Sequence, residues 1–132
     1  MPPAALEHAN VTVSDPHATS KWLCDVFGWH VRWQGEAIYG GFTAHVGSAN
    51  SYLAIYSIGH AIEQQSRSSY HTRGGLNHIG IVVDDLDAVE ARVKAAGFKP
   101  ASHADYEPGR RFYFQDHDGI EFEVISYPKQ ME

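Results

Sequence analysis

Hydrophobic and polar positions alternate in short runs along this chain, and twice such a run leads straight into a helical pattern. In Leu76–Val83 (LNHIGIVV) β-branched residues dominate, and the run reads as a strand. Asp84 and Asp85 then offer N-cap oxygens, and Leu86, Val89, Val93 and Ala96 recur at helical spacing. Gly97 stands where a left-handed residue costs least, so the spacing predicts a helix over Asp85–Ala96. The N-terminus repeats the pattern. A strand over Leu6–Val13 meets a cap at Ser14 or Asp15, Pro16 suits the first turn, and Trp22, Leu23, Val26 and Phe27 form a buried stripe. His8 precedes Asp15 by the same interval as His78 precedes Asp85, and Phe27-Gly28-Trp29 matches Ala96-Gly97-Phe98.

Three further strands are predicted after each helix: Trp29–Gln34, Tyr39–Val46 and Ser51–Ile58, then Phe98–Ser102, Arg111–Gln115 and Ile120–Ser126. The chain is thus an internal duplication of one β-α-β-β-β unit. The predicted class is α+β: a single domain over 1–132 in which module one (5–58) and module two (76–127) form curved mixed sheets around a cavity, helices outside. The polar, serine-rich stretch 59–75 is the linker, with room for a short helix.

Strand parity assigns side chains to faces. If Ala9, Val11 and Val13 face the helices, His8, Asn10 and Thr12 lie opposite. The same reasoning puts His78, Gly80, Glu121, Glu123, Arg111, Tyr113, Tyr52, Ala54 and Tyr56 on the face away from the helices. In Trp29–Gln34 it puts Trp29, Val31 and Trp33 together on an apolar face. A face with two histidines, two glutamates and several tyrosines is too polar for a sheet-sheet core and too aromatic for solvated surface, which suits a ligand cavity.

Composition narrows the partners. A net charge of −6 without a basic run argues against nucleic acid and anionic membranes. No apolar run approaches ~18 residues, and Met1-Pro2-Pro3 opens no signal peptide. A lone cysteine, Cys24, excludes an intrachain disulfide and fits a reducing cytoplasm. The expected protein is soluble and cytoplasmic, with a small-molecule partner.

Two imidazoles and one carboxylate make a divalent-metal set with positions left for substrate, and His8, His78 and Glu123 supply them. The cofactor expected is a divalent ion: Fe, Mn, Zn or Ni. Residue by residue, a bland alternative exists: His8 near a frayed terminus, His78 bonded to backbone, Glu123 solvated. The position equivalent to Glu123 in module one is Ala54, so a fourth, symmetric ligand is missing.

The duplicated module, together with LNHIGIVVDDLDAVEARVKAAGF and RRFYFQDHDGIEFEVIS, resembles the vicinal oxygen chelate superfamily of glyoxalase I, fosfomycin-resistance proteins, extradiol dioxygenases and bleomycin-resistance proteins. The resemblance spans His8 to Ser126 and implies the fold. It also places the family's ligand positions on His8, Ala54, His78 and Glu123. Glyoxalase I carries glutamate or glutamine where this chain has Ala54, whereas the His-His-Glu set is similar to that of fosfomycin-resistance enzymes and extradiol dioxygenases. Tyr113, ten residues before Glu123, matches an active-site tyrosine of the latter, with cavity wall as its other reading. His117 stands where their signature has proline, and His103 is one residue off the signature histidine.

The function so implied is a metal-dependent enzyme of the glyoxalase or dioxygenase type, chelating vicinal oxygens of a small substrate. The alternative is a metal-free protein that sequesters a small molecule, as bleomycin-binding members do. Tyr113 and Glu121 are the candidate catalytic residues, Glu121 as general base or as a solvated rim residue. Asn10, Tyr52, Tyr56, Arg111 and Trp33 are candidate substrate contacts; the aromatic ones suit a flat body or a subunit interface equally. A single module leaves an open sheet edge, so two must pair, within one chain or between two. The resemblance implies a homodimer with shared sites, in which His8 of one subunit meets His78 and Glu123 of the other.

Overall fold

A computed structural model describes residues 1–58, 62–106 and 108–128. The chain forms two compact units, Met1–Glu63 and Gln64–Glu132, which divide within the expected linker. The first contains β1 (His8–Thr12), α1 (Pro16–Phe27), β2 (His30–Ala37), β3 (Gly41–Gly47) and β4 (Tyr52–Ser57). The second contains β5 (Ile79–Val82), α2 (Leu86–Ala95), β6 (Ala101–Tyr106), β7 (Gly109–Gln115) and β8 (Glu121–Ser126). Their sheets have one topology, β1-β4-β3-β2 and β5-β8-β7-β6. In each, the first strand runs parallel to the last while the other neighbours are antiparallel. The α+β class and the repeated module are as the hydrophobic pattern predicted.

Local chemistry sets the helix ends. The Asp15 carboxylate accepts the backbone N–H of His17 at 3.0 Å and of Ala18 at 3.2 Å, Pro16 opens the first turn, and Gly28 closes α1 at φ 70°. Asp85 does the same for Ala88 at 3.0 Å, and the chain leaves α2 through Gly97 at φ 94°. Each helix covers one sheet face. In the first unit Val13, Leu23, Val26, Val46 and Ile55 are buried; in the second, Val93, Phe112, Phe122 and Val124. Full burial of such side chains contributes ~1.5–3 kcal/mol each, which is what keeps the opposite faces free for other chemistry.

The departures from the sequence reading have physical causes. The strand expected at Phe98–Ser102 is β6, which begins only after Pro100, a residue without an N–H to donate. In place of the expected start of a strand at Tyr39, Ile38–Gly40 forms a 3-10 turn between β2 and β3, with Tyr39 at φ 60°. The linker holds a 3-10 turn at Ser69–His71, while its residues 59–61 lie outside the described ones. A β-bulge between Val31 and Trp33 shifts the register of β2, so Val31 pairs with Val46 but Trp33 pairs with His45. Period-two alternation put Trp33 beside Val31. The extra residue, Arg32, moves it to the opposite face. Neither helix, among the described residues, is long and apolar enough to cross a membrane.

Candidate functional site

In the second unit, register brings Gly80, Glu123 and Tyr113 into one line across β5, β8 and β7, and pairs Gln115 with Glu121. Gly80 leaves room beside that carboxylate: a Cβ placed there would meet Glu123 Oε1 in ordinary contact at 3.9 Å. Glu123 Oε2 is held differently. It accepts the Tyr113 hydroxyl, and Arg111 Nη1 lies 3.5 Å away. The bond to Glu123, then burial, pushes the Tyr113 phenol up to about 12, so Tyr113 keeps its proton through the neutral range. Arg111 lies over the Tyr106 ring at 4.7 Å and donates to the Gly109 carbonyl at 3.4 Å. Its Nε is buried with no partner among the described residues.

His78 sits just before β5, with its ring edge-on to Tyr113 at 5.7 Å between centroids. Its Nδ1 is 3.4 Å from the Tyr70 hydroxyl and 3.8 Å from Glu121 Oε1, and Tyr70 donates to that same oxygen at 3.1 Å. Burial and the Glu121 bond both push the Tyr70 phenol up. Sequence reasoning missed Tyr70, because a tyrosine in a serine-rich linker carries no periodic signal. The structure thus gathers His78, Glu121, Tyr113, Glu123 and Arg111 on one face, as strand parity expected.

The first unit builds its open face differently. His8 Nδ1 lies 2.9 Å from Glu7 Oε1, and the Tyr52 hydroxyl donates to the same oxygen at 3.3 Å. The Glu7 carboxyl is held below its ordinary range, chiefly by that His8 bond. His8 and His45 both stack on Tyr52, at 4.9 and 4.5 Å, with Arg32 over the ring at 4.6 Å and Trp33 against His45 at 5.2 Å. Here the line equivalent to Gly80–Glu123–Tyr113 reads Asn10–Ala54–His45, with no carboxylate in it. His45 also went unnoticed in the sequence, although Thr43 and His45 alternate there with Ala44 and Val46. Burial, then the neighbouring His8, lowers its pKa. A cavity of about 640 Å³ opens on this face, bounded by His8, Asn10, Tyr52 and Tyr56 among others.

A third cluster, Asp116, His117 and Asp118, holds its ligand atoms within 4.8 Å of one another on the turn between β7 and β8. Chain connectivity accounts for that proximity. Asp116 Oδ1 accepts the N–H of Asp118 at 2.9 Å and of Ile120 at 3.0 Å, so the carboxylate is the turn's own cap.

The chain belongs to the Glyoxalase/Bleomycin resistance protein/Dioxygenase superfamily, whose family model matches residues 5–124. Its fold is shared by solved structures. One is a glyoxylase/bleomycin resistance protein/dioxygenase domain from Frankia sp. EAN1pec, with TM-score 0.80 and 20% identity over 98% of this chain and 96% of that one. Another is the genomically encoded fosfomycin resistance protein FosX from Listeria monocytogenes, complexed with Mn(II) and sulfate, with TM-score 0.72 and 20% identity over 96% and 94%. A third, the fosfomycin resistance protein FosX from Mesorhizobium loti, reaches 25% identity with TM-score 0.70 over 92% and 90%. No curated protein sequence matches the chain.

Two imidazoles and a carboxylate, as His8, His78 and Glu123 carry, are donor types that suit a divalent ion, although among the described residues it is Asp116, His117 and Asp118, not these three, whose ligand atoms lie within 4.8 Å of one another. Both His8 and His78 have Nδ1 beside a glutamate oxygen, which leaves Nε2 as the outward donor, and Glu123 leaves Oε1. Ligating histidines in metal sites are oriented by a carboxylate on the other ring nitrogen in the same way.

Proposed function

We propose that the chain is a metal-dependent enzyme acting on a small oxygen-bearing substrate, with His8 Nε2, His78 Nε2 and Glu123 Oε1 as ligands of a divalent ion. The carrying observation is that all three residues have their other donor atom beside a second side chain: Glu7 at His8, Tyr70 and Glu121 at His78, Tyr113 and Arg111 at Glu123. The Mn(II) of the Listeria FosX structure supports a divalent metal, as does the His-His-carboxylate chemistry itself. A bound ion would supply Lewis acidity toward two adjacent substrate oxygens.

The chain's own residues have separate tasks in this reading. Tyr113 and Arg111 fix the Glu123 carboxylate and offset its charge. Tyr70 bridges His78 and Glu121, so the imidazole is held in one orientation. Glu121, half-buried on the same face, is placed to take a proton from substrate as general base, while protonated Tyr113 is not. Asn10, Tyr52, Tyr56 and Trp33 on the first module, and Arg111 on the second, serve as substrate contacts. The protein acts in the cytoplasm as a homodimer, His8 of one subunit completing the set of the other.

Metal analysis of protein purified without chelator tests the reading, with stoichiometric metal expected and its absence favouring a metal-free binding protein. Mixing His8→Ala with Glu123→Ala subunits should restore one intact site per mixed dimer. If verified subunit exchange restores no metal binding, the shared set is wrong.

A further inference from the structure

His8 opens β1, an edge strand of the first sheet, and its side chain is 44% exposed. Its Nδ1 partner, Glu7, is the preceding residue and is 63% exposed. An exposed pair of this kind restrains little by itself, because water and rotamer freedom compete with it. What fixes the pair comes from β4. The Glu7 carbonyl accepts the Tyr52 N–H at 3.0 Å, extending the parallel ladder that pairs His8 with Tyr52. The Tyr52 hydroxyl donates to the Glu7 carboxylate at 3.3 Å, on the same oxygen that lies beside His8. The Tyr52 ring is nearly parallel to the imidazole, at 12° and 4.9 Å between centroids. One tyrosine therefore lies along the plane of the His8 ring and holds, by backbone and by side chain, the residue that its Nδ1 meets.

Tyr52 is itself held. Arg32 puts its guanidinium over the ring at 4.6 Å, and His45 stacks on it at 4.5 Å. Arg32 belongs to β2, two strands from Tyr52 in the order β4-β3-β2, and two features of the sequence let it reach. It is the extra residue of the bulge, outside the pairing of Val31 with Val46 and of Trp33 with His45. The residue of β3 that pairs with Tyr52 is Gly47, which pairs on its other side with His30 of β2. A Cβ on Gly47 would stand 2.7 Å from the Tyr52 Cβ, so a side chain there would displace the tyrosine that Arg32 covers.

We propose that Tyr52 and Arg32 are positioning residues for His8. Tyr52 fixes the imidazole plane by stacking and its tautomer through Glu7, Arg32 fixes Tyr52, and Nε2 is left as the unprotonated donor. The inference rests on the enzymatic reading only for the ion that Nε2 would meet, and the role stands beside the place of Tyr52 in the cavity wall.

Nitrogen-15 NMR of the imidazole rings tests it in full-length, metal-free protein at pH about 8.5, where histidine is neutral, with His8→Gln assigning the signal. An unrestrained neutral ring exchanges between two tautomers; wild-type His8 should hold the Nδ1–H form. Tyr52→Leu should return it to a mixture and weaken Zn(II) binding about 10-fold by chelator competition. Arg32→Gln should act in the same direction, by about twofold to fivefold in affinity. Tyr52→Phe keeps the stack and loses only the hydroxyl, so it should fall between wild type and Tyr52→Leu. In a Glu7→Ala background the same change should make no difference, because the hydroxyl then has no carboxylate to hold. Should Tyr52→Leu melt early, the milder Tyr52→Phe and Arg32→Gln carry the test. Wild-type His8 in the Nε2–H form, Tyr52→Phe equal to wild type in both readouts, or a Tyr52→Phe effect that survives Glu7→Ala overturns the role. Protein that shows these tautomer shifts but binds no metal sinks the metal reading alone. Metal-binding protein whose His8 tautomer ignores Tyr52 and Arg32 sinks the positioning role alone.

Discussion

Replacing Tyr113 by phenylalanine removes one hydroxyl from the open face of the second module and changes little else. Glu123 Oε2 then keeps only Arg111 Nη1 at 3.5 Å, which is long for a charged hydrogen bond. A hydrogen bond to a charged group contributes ~1.5–3 kcal/mol, and water can reach a half-buried carboxylate and replace part of it. Loss of a group that orients a metal ligand costs about 10- to 100-fold in affinity, or ~1.4–2.8 kcal/mol. The two ranges nearly coincide, and replacement by water favours their lower end, so Tyr113→Phe should bind Mn(II) or Zn(II) about 10- to 30-fold more weakly, measured by competition with a chromophoric chelator. Ultraviolet titration supplies an independent check. One wild-type phenol should ionise near 12, against 10 for an ordinary tyrosine, and Glu123→Gln should return it toward that value. The sign for stability follows: a raised pKa in the folded state stabilises below the ordinary tyrosine range, and that contribution is lost as pH climbs to about 12. Metal affinity equal to the wild type, or no late-ionising phenol, would refute the role given to this hydroxyl.

Other outcomes are expected from the same structure. Asp15→Ala removes the acceptor of two backbone N–H groups and should cost ~1 kcal/mol in urea unfolding; no change would mean that water caps α1 as well. Phe112→Ala empties a fully buried ring from the second core and should cost ~3–5 kcal/mol, enough to show as a large drop in the denaturation midpoint. Burial raises the Asp116 carboxyl pKa, so its ionisation weakens the fold as pH rises through the carboxylate range. Asp116→Asn keeps an acceptor for the turn without ionising. Its stability relative to the wild type should therefore improve from acid to neutral pH, and a constant difference across that range would contradict the assignment.

Most of the fold was legible because its signals are local. Asp15-Pro16 and Asp85 announce helix starts, Gly28 and Gly97 their ends, and the duplicated order of elements follows from the repeated hydrophobic pattern. The open faces were legible wherever a strand runs without interruption: Glu121 and Glu123 stand opposite Phe122 and Val124 by parity alone. Parity failed at Trp33, because a bulge has no reliable mark in a single sequence, and the tertiary register decides where the extra residue goes. Tyr70 and His45 were missed for different reasons. Tyr70 comes from a connecting segment whose course no periodicity describes, and His45 lies on a strand where Gly40 and Gly41 obscured the alternation. The contacts that orient His78 and Glu123 depend on side-chain approach between separate segments and have no counterpart in residue order, whereas the partner of His8 is its sequence neighbour Glu7.

The bulge at Arg32 gives the length of one strand control over the chemistry of a cavity. Every residue of β2 beyond it owes its face to a single inserted position. Deleting that position would send Trp33 back toward the helix and bring the other residue set of the strand to the ligand side, while β1, β3 and β4 kept their register. Change in such a wall need not proceed one substitution at a time, through intermediates each of which must pack. One codon gained or lost exchanges the whole wall at once, and because β2 is the edge strand of its sheet, no further strand has to follow the change. Binding preference in this scaffold can therefore diverge by insertion and deletion faster than residue-by-residue comparison of two sequences would suggest.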